Sequence, residues 1–186
     1  MKAQTELLKL EKETGYSLDA SSISIEEWKQ AKEYSKNFYA DSDGKFKEKW
    51  GLFLAFQAMK SDIDPAIVYE LLKVETGDKF DPELTGPQTK YGRAYGMAQF
   101  MKNTAPWIAD MAGIDYSEEK LFDPYYSMTL SVTYLEYLYQ KYDNWDEALT
   151  AYNRGIAGLE TYVLEKGTPK SGYSEEIQEK ASLHES

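Results

Sequence analysis

Apolar residues recur along nearly the whole chain at intervals of three and four, the spacing of one helix face, and nowhere with the sustained alternation of a strand. The first such segment covers about residues 3–13 and stops near Gly15, and Ser24 with Glu27 has the form of a capping box opening a second over about 25–39. "ADSDGK" closes that segment. "KWGLFLAFQAMK" predicts a buried helix, while Asp64 and Pro65 supply the N-cap and first-turn proline of a helix that reaches Glu75 and stops at Gly77. In "GMAQFMKNTAPWIADMAG" two short helical pieces are expected, the second restarted by Thr104 and Pro106. Asp123 and Pro124 open a long aromatic-rich helix, "YYSMTLSVTYLEYLYQKY", whose rings at helical spacing predict core. Asp146 is the expected cap of "EALTAYN", which ends at Gly155, and two last helices follow over about 156–165 and 174–182. The 78–95 loop leaves room for a short hairpin. The fold class is all-α, with no internal repeat, and the break near Gly44 divides an N-terminal helical arm, 1–44, from a main domain, 45–186.

Composition narrows the chemistry. At 186 residues, 42% hydrophobic, the chain suits one well-packed domain with a small appendage. It has no cysteine, which excludes a catalytic thiol, a disulfide framework and a thiolate zinc site. Its one histidine, His184, stands in a polar C-terminal tail, so neither a histidine triad nor a histidine-rich metal site is expected. A net charge of −11 repels polyanions and makes nucleic acid a poor partner. No apolar run approaches the roughly 20 residues of a membrane span, and "MKAQTELLKLEKETGY" is a charged amphipathic helix, not a signal peptide. Asp41, Asp43 and Gly44 resemble part of a calcium loop, but Tyr39 and Trp50 stand at its first and last ligand positions, which favours a polar turn.

One carboxylate is placed unlike the others. At about 100° per residue, with Glu75 at zero, Val68 falls near +20°, Leu71 near −40° and Leu72 near +60°, so Glu75 sits in the middle of the apolar stripe. Glu70 falls near −140°, about where a solvated glutamate is expected. Burial and the carbonyl dipoles of a helix C-terminus both raise the pKa of Glu75, which suits a general acid that later acts as base. A glutamate that turns outward at the protein edge fits this stretch equally well.

The order of several motifs breaks the tie. Glu75-Thr76 follows "DIDPAIVYELLKV"; Gly96-Met97-Ala98-Gln99 precedes "FMKNTA"; "LFDPYYSMTLSVTYLEYL" comes next; then Ala151-Tyr152-Asn153 with Gly155, and Tyr173 in "GYSEEIQEK". Over residues 50–182, about seven-tenths of the chain, this order resembles the catalytic domain of the soluble lytic transglycosylase (SLT-type) family of the lysozyme-like superfamily. In that family a helix ends in Glu-Ser, a loop leads to Gly-Leu-Met-Gln, and Ala-Tyr-Asn follows. Here Thr76 replaces the serine, Met97 and Ala98 replace Leu and Met, and Arg93 stands where a glycine is frequent.

The resemblance implies a lysozyme-like helical fold and cleavage of the β-1,4 bond between N-acetylmuramic acid and N-acetylglucosamine in peptidoglycan, giving 1,6-anhydro ends without water. Glu75 would be acid and then base. Thr76, Met97, Gln99, Met101, Tyr152, Asn153 and Tyr173 would bind substrate or line the groove. Read as residues alone, Asn153 is a cap, Tyr152 a core ring and the methionines ordinary packing. The resemblance further implies no metal or organic cofactor, glycan strands as the partner, action as a monomer, and a place outside the cell or at the wall, with leader or anchor not visible in this chain. The alternatives are a goose-type muramidase using Asp78, Asp81 or Glu83 as the water-activating base, and a non-catalytic peptidoglycan-binding domain.

Overall fold

The structure, a computed structural model, describes residues 2–184. Helices α1 (Lys2–Thr14), α2 (Ile25–Asp41), α3 (Glu48–Lys60) and α4 (Pro65–Glu75) come first, then a two-stranded antiparallel ribbon, β1 (Ala94–Tyr95) and β2 (Phe100–Met101). Helices α5 (Ala105–Ala112), α6 (Pro124–Tyr142), α7 (Trp145–Arg154), α8 (Ile156–Lys166) and α9 (Gly172–Ser182) complete it. The ribbon pairs Ala94 with Met101 and Tyr95 with Phe100. The all-α expectation holds.

Local signals explain most boundaries. Ser24 and Glu27 form the reciprocal capping box, the Asp64 side chain accepts from the Ala66 amide, and Asp123 accepts from the Tyr125 and Tyr126 amides. Two expectations fail. Asn144, not Asp146, caps α7, its side chain accepting from the Glu147 amide, and Asp146 instead accepts from Ser174 Oγ and Gln178 Nε2 on α9. The stretch after Gly96 is no helix: Gly96 (φ 80°) and Gln99 (φ 54°) both take left-handed backbone, which breaks an α-ladder and turns the chain into β2.

Helix α4 is the axis of the molecule. Every residue from Pro65 to Leu72 is buried, so this helix has no solvent face. Tyr69 stacks on Phe38 of α2 with ring centroids 4.2 Å apart and meets Phe46 and Phe80 edge-on or offset. Leu7, Leu10, Ala31 and Phe38 from the expected arm belong to the same hydrophobic cluster as the main-domain core. Burial of a large side chain such as Phe38 contributes about 2–3 kcal/mol, so the arm stabilises the helix that carries Glu75.

That packing corrects the expectation for Glu70. The residue does lie opposite Glu75, but α2 and the C-terminal tail cover that face and leave Glu70 2% exposed. Its Oε2 has no hydrogen-bond partner among the described residues, and the basic side chains beside it are Lys73, with Nζ 3.8 Å from Oε1, and His184, with Nε2 3.9 Å from Oε2. His184 is likewise not in an open tail: its ring stands edge-on to Phe38 and Tyr69 at 5.3 Å each. Asp41, read as part of a turn, accepts from Tyr69 Oη at 2.6 Å and Lys73 Nζ at 3.0 Å. Asp41, Glu70 and His184 bring three potential metal-ligand atoms within 4.8 Å of one another, but the Lys73 ammonium already stands among them. The sequence pattern could not show this, because an amphipathic stripe reveals one buried face and says nothing of a second element laid over the other.

Candidate active site

Glu75 is the last residue of α4, and the chain turns sharply beyond it. Thr76 makes that turn. Its hydroxyl donates to the Leu72 carbonyl, which also accepts the Thr76 amide, and accepts from the Phe80 amide, each hydroxyl bond at 2.8 Å, which ties the chain beyond the helix to its last turn over the buried Phe80. Glu75 is thereby left pointing along the wall of a cleft of about 630 Å³. The same cleft is lined by Gln99, Phe100 and Met101 from the ribbon, Tyr134 of α6, Tyr152 and Asn153 of α7, and the first turn of α8.

Two phenols organise the surroundings of Glu75. Tyr173, at the start of α9, donates to Glu75 Oε1 at 2.7 Å. The start of α9 is itself held by a capping box between Ser171 and Ser174 and by a 2.8 Å bond between Ser171 Oγ and Thr150 Oγ1, so the phenol is aimed by a buried network. Tyr152 donates to the Ala98 carbonyl at 3.1 Å and lies 3.2 Å from Ser131 Oγ, tying the turn after Gly96 to α6 and α7. Phe100 and Tyr134 flank the Tyr152 ring, with centroids 5.6 and 5.4 Å away.

Burial pushes the Glu75 carboxyl up to about 7, and the hydrogen bond from Tyr173 pulls in the opposite direction by favouring the anion. Desolvation also raises the Tyr152 and Tyr173 phenols well above their usual range, and a charge on Glu75 adds to it, so both remain donors. A carboxyl poised near neutrality between two neutral phenols can release a proton to a substrate oxygen and take one back. Tyr173→Phe is expected to move the basic limb of the pH–activity profile upward from near pH 7, because the donor that stabilises the anion is gone. A limb that stays in place or moves down would show that Tyr173 does not act on Glu75.

The other predicted residues divide. Met101 and Asn153 line the cleft. Gln99 also faces it, but its Nε2 donates to the carbonyls of Gly96 at 2.8 Å and Leu84 at 3.3 Å, so the amide nitrogen holds the turn together. Thr76 and Met97 do not line it: both are buried, Thr76 in the turn below Glu75 and Met97 in the core. The sequence reading missed Ser131, Tyr134 and Arg154. Tyr134 and Ser131 lie on the long helix read as core, where helical spacing alone does not separate a ring on the cleft from one beneath it. Arg154 carried a signal, since it follows Asn153 directly and is one of two arginines in the chain.

Known proteins resemble this chain in sequence pattern and in fold. A family model described as the transglycosylase SLT domain matches residues 53–173. No curated protein matches the chain. Among solved structures, an inactive mutant of lytic transglycosylase Slt from Pseudomonas aeruginosa superimposes with a TM-score of 0.58 at 18% identity, over 81% of this chain and 27% of that one. The 70 kDa soluble lytic transglycosylase from Escherichia coli gives 0.55 at 19% identity, over 88% of this chain and 31% of that one. The likeness to both lies in the fold, and this chain spans under a third of their length. With a family model covering the helix that presents Glu75, the ribbon, Tyr152 and Tyr173, the chain belongs to the transglycosylase SLT domain family.

Proposed function

We propose that this protein is a peptidoglycan lytic transglycosylase in which Glu75 alone serves as acid and then base. The supporting observation is that Glu75 is the one carboxylate among the described residues lining the cleft. Hydrolysis with inversion needs a second carboxylate to activate water on the far side of the sugar, about 6.5–9.5 Å away. Asp78, Asp81 and Glu83, the candidates for that base, are exposed on the loop beyond α4 and do not line the cleft.

In this reading the protonated Glu75 gives its proton to the glycosidic oxygen as the bond from muramic acid C1 breaks, and the sugar's own N-acetyl group stabilises the cationic carbon. The Glu75 carboxylate then takes the proton of the muramic acid C6 hydroxyl as that oxygen bonds to C1. The product is a 1,6-anhydro ring, and Glu75 ends the cycle protonated. Tyr173 holds the carboxyl group between the two transfers, and Asn153 offers an amide to a sugar N-acetyl group. Met101 and Tyr134 supply apolar contact to sugar faces, while Gln99 and Tyr152 keep the wall in place. The glycan strand is the partner, no cofactor takes part, and the site of action is the cell wall.

Mass spectrometry of the soluble products from purified peptidoglycan distinguishes the alternatives. Fragments ending in 1,6-anhydro-muramic acid are expected. Reducing ends heavier by one water would mean a muramidase. Binding to the glycan with no release of fragments would mean a recognition domain.

A further inference from the structure

Besides Glu75, the cleft lining holds one acidic or basic side chain among the described residues, and it is a cation, Arg154. The chain has 32 acidic and 21 basic residues, yet the lining holds one of each, so the cleft wall is poor in charge and Arg154 is its one cation among the described residues. Arg154 ends α7 and is set in place by α8. Its Cβ packs over Gly158, where an added methyl would come within 2.8 Å of it, and its guanidinium lies 4.5 Å from the centroid of the Tyr162 ring. Stacking of this kind fixes the plane of the fork and leaves its N–H groups for another partner. No carboxylate of the protein pairs with it among the described residues. Arg154 forms no ion pair with Glu75, whose one side-chain hydrogen bond comes from Tyr173.

The polysaccharide of the proposed substrate carries its negative charge on the peptide attached to the lactyl group of muramic acid, since the sugar ring itself offers hydroxyls and amides. Resting on the lytic reading above, we propose that Arg154 binds a carboxylate of this peptide stem and makes the enzyme prefer stem-bearing strands to bare glycan. A planar guanidinium forms paired hydrogen bonds with a carboxylate, which an ammonium does not reproduce. In a chain of net charge −11, a fixed cation at the cleft also offsets the general repulsion that an anionic peptide would meet.

The test uses one preparation of glycan strands, half with intact stems and half stripped of them by an amidase. For each protein the ratio of kcat/KM on stem-bearing to stem-free strands is measured, so that a partial loss of folded protein cancels. The ratio is expected to exceed one in the unmodified protein, to fall about tenfold in Arg154→Ala, and to fall by less in Arg154→Lys, which keeps the charge and loses the fork. Strands whose stem carboxylates are amidated should behave as stem-free strands do. A ratio unchanged in Arg154→Ala would overturn the assignment while leaving the lytic reading intact. Failure of the unmodified protein to cleave either substrate would overturn both.

Discussion

Replacement of Glu75 by Gln is expected to lower turnover of purified peptidoglycan by about a thousandfold or more, because the amide can neither give the first proton nor take the second. Binding of the glycan should survive, since the amide keeps the shape and can accept the bond from Tyr173 Oη. The same substitution carries a thermodynamic signature. The folded carboxyl sits near 7 against an ordinary value of 4.5, so between those pH values the native state binds more protons than the unfolded chain. Stability from this group is therefore full below about pH 4.5 and declines as pH rises to about 7, by about 2 kcal/mol once water at the cleft mouth is allowed for. Glu75→Gln, neutral at every pH, should melt at nearly the same temperature as the unmodified protein at pH 4.5 and several degrees higher at pH 8. Calorimetry at the two pH values checks this. A variant equally displaced at both would mean that Glu75 is not held neutral, and turnover that persists would remove Glu75 from the chemistry.

Gly96→Ala should be the most damaging single-methyl change near the cleft. Gly96 has φ 80°, a conformation costly for alanine, and its missing Cβ points at the carbonyl oxygen of Leu121, which Ser127 Oγ already holds at 3.1 Å. A methyl there would overlap that oxygen, so the turn or the start of α6 must shift. The left-handed backbone costs about 1 kcal/mol and the overlap about 1–3 more, for a total of about 3 kcal/mol. Activity should fall with it, because the Gly96 amide bonds the Leu84 carbonyl and its own carbonyl receives Gln99 Nε2. Gly77→Ala is the control: φ is 57° but no atom lies within 4 Å of the added methyl, so only the backbone cost of about 1 kcal/mol applies. Chemical denaturation of both variants separates the two contributions. Equal losses would show that the overlap relaxes without cost.

This contrast explains how far the site could be read in advance. Gly77 and Gly96 look alike in the sequence, one ending a helix and one opening a motif, and local rules assign both to turns. The packing partner that makes Gly96 irreplaceable is 25 positions away. Gln99 is a similar case, since a good helix former in "GMAQFM" predicts a helix, yet its side chain earns a left-handed backbone by bonding two carbonyls, at Gly96 and Leu84. Asp146 was assigned to a cap for the same local reason and belongs to a bond across to α9.

Local patterns in the chain are enough for the all-α class, the boundaries of most helices, and the place of Glu75 on an apolar stripe, because each of these depends on residues within a few turns of one another. The ordered motifs from Glu75 to Tyr173 also carried the family. Tertiary structure alone decided which of those motif residues meet. It set Tyr173 on Glu75 across 98 positions, withdrew Thr76 and Met97 into the interior, buried Glu70 on the face opposite Glu75, and added Arg154 to the cleft. Proton transfer and carboxylate recognition depend on contacts of about 3 Å and on the exclusion of water. Both arise only when distant helices close on one another, and no local pattern in the chain encodes them.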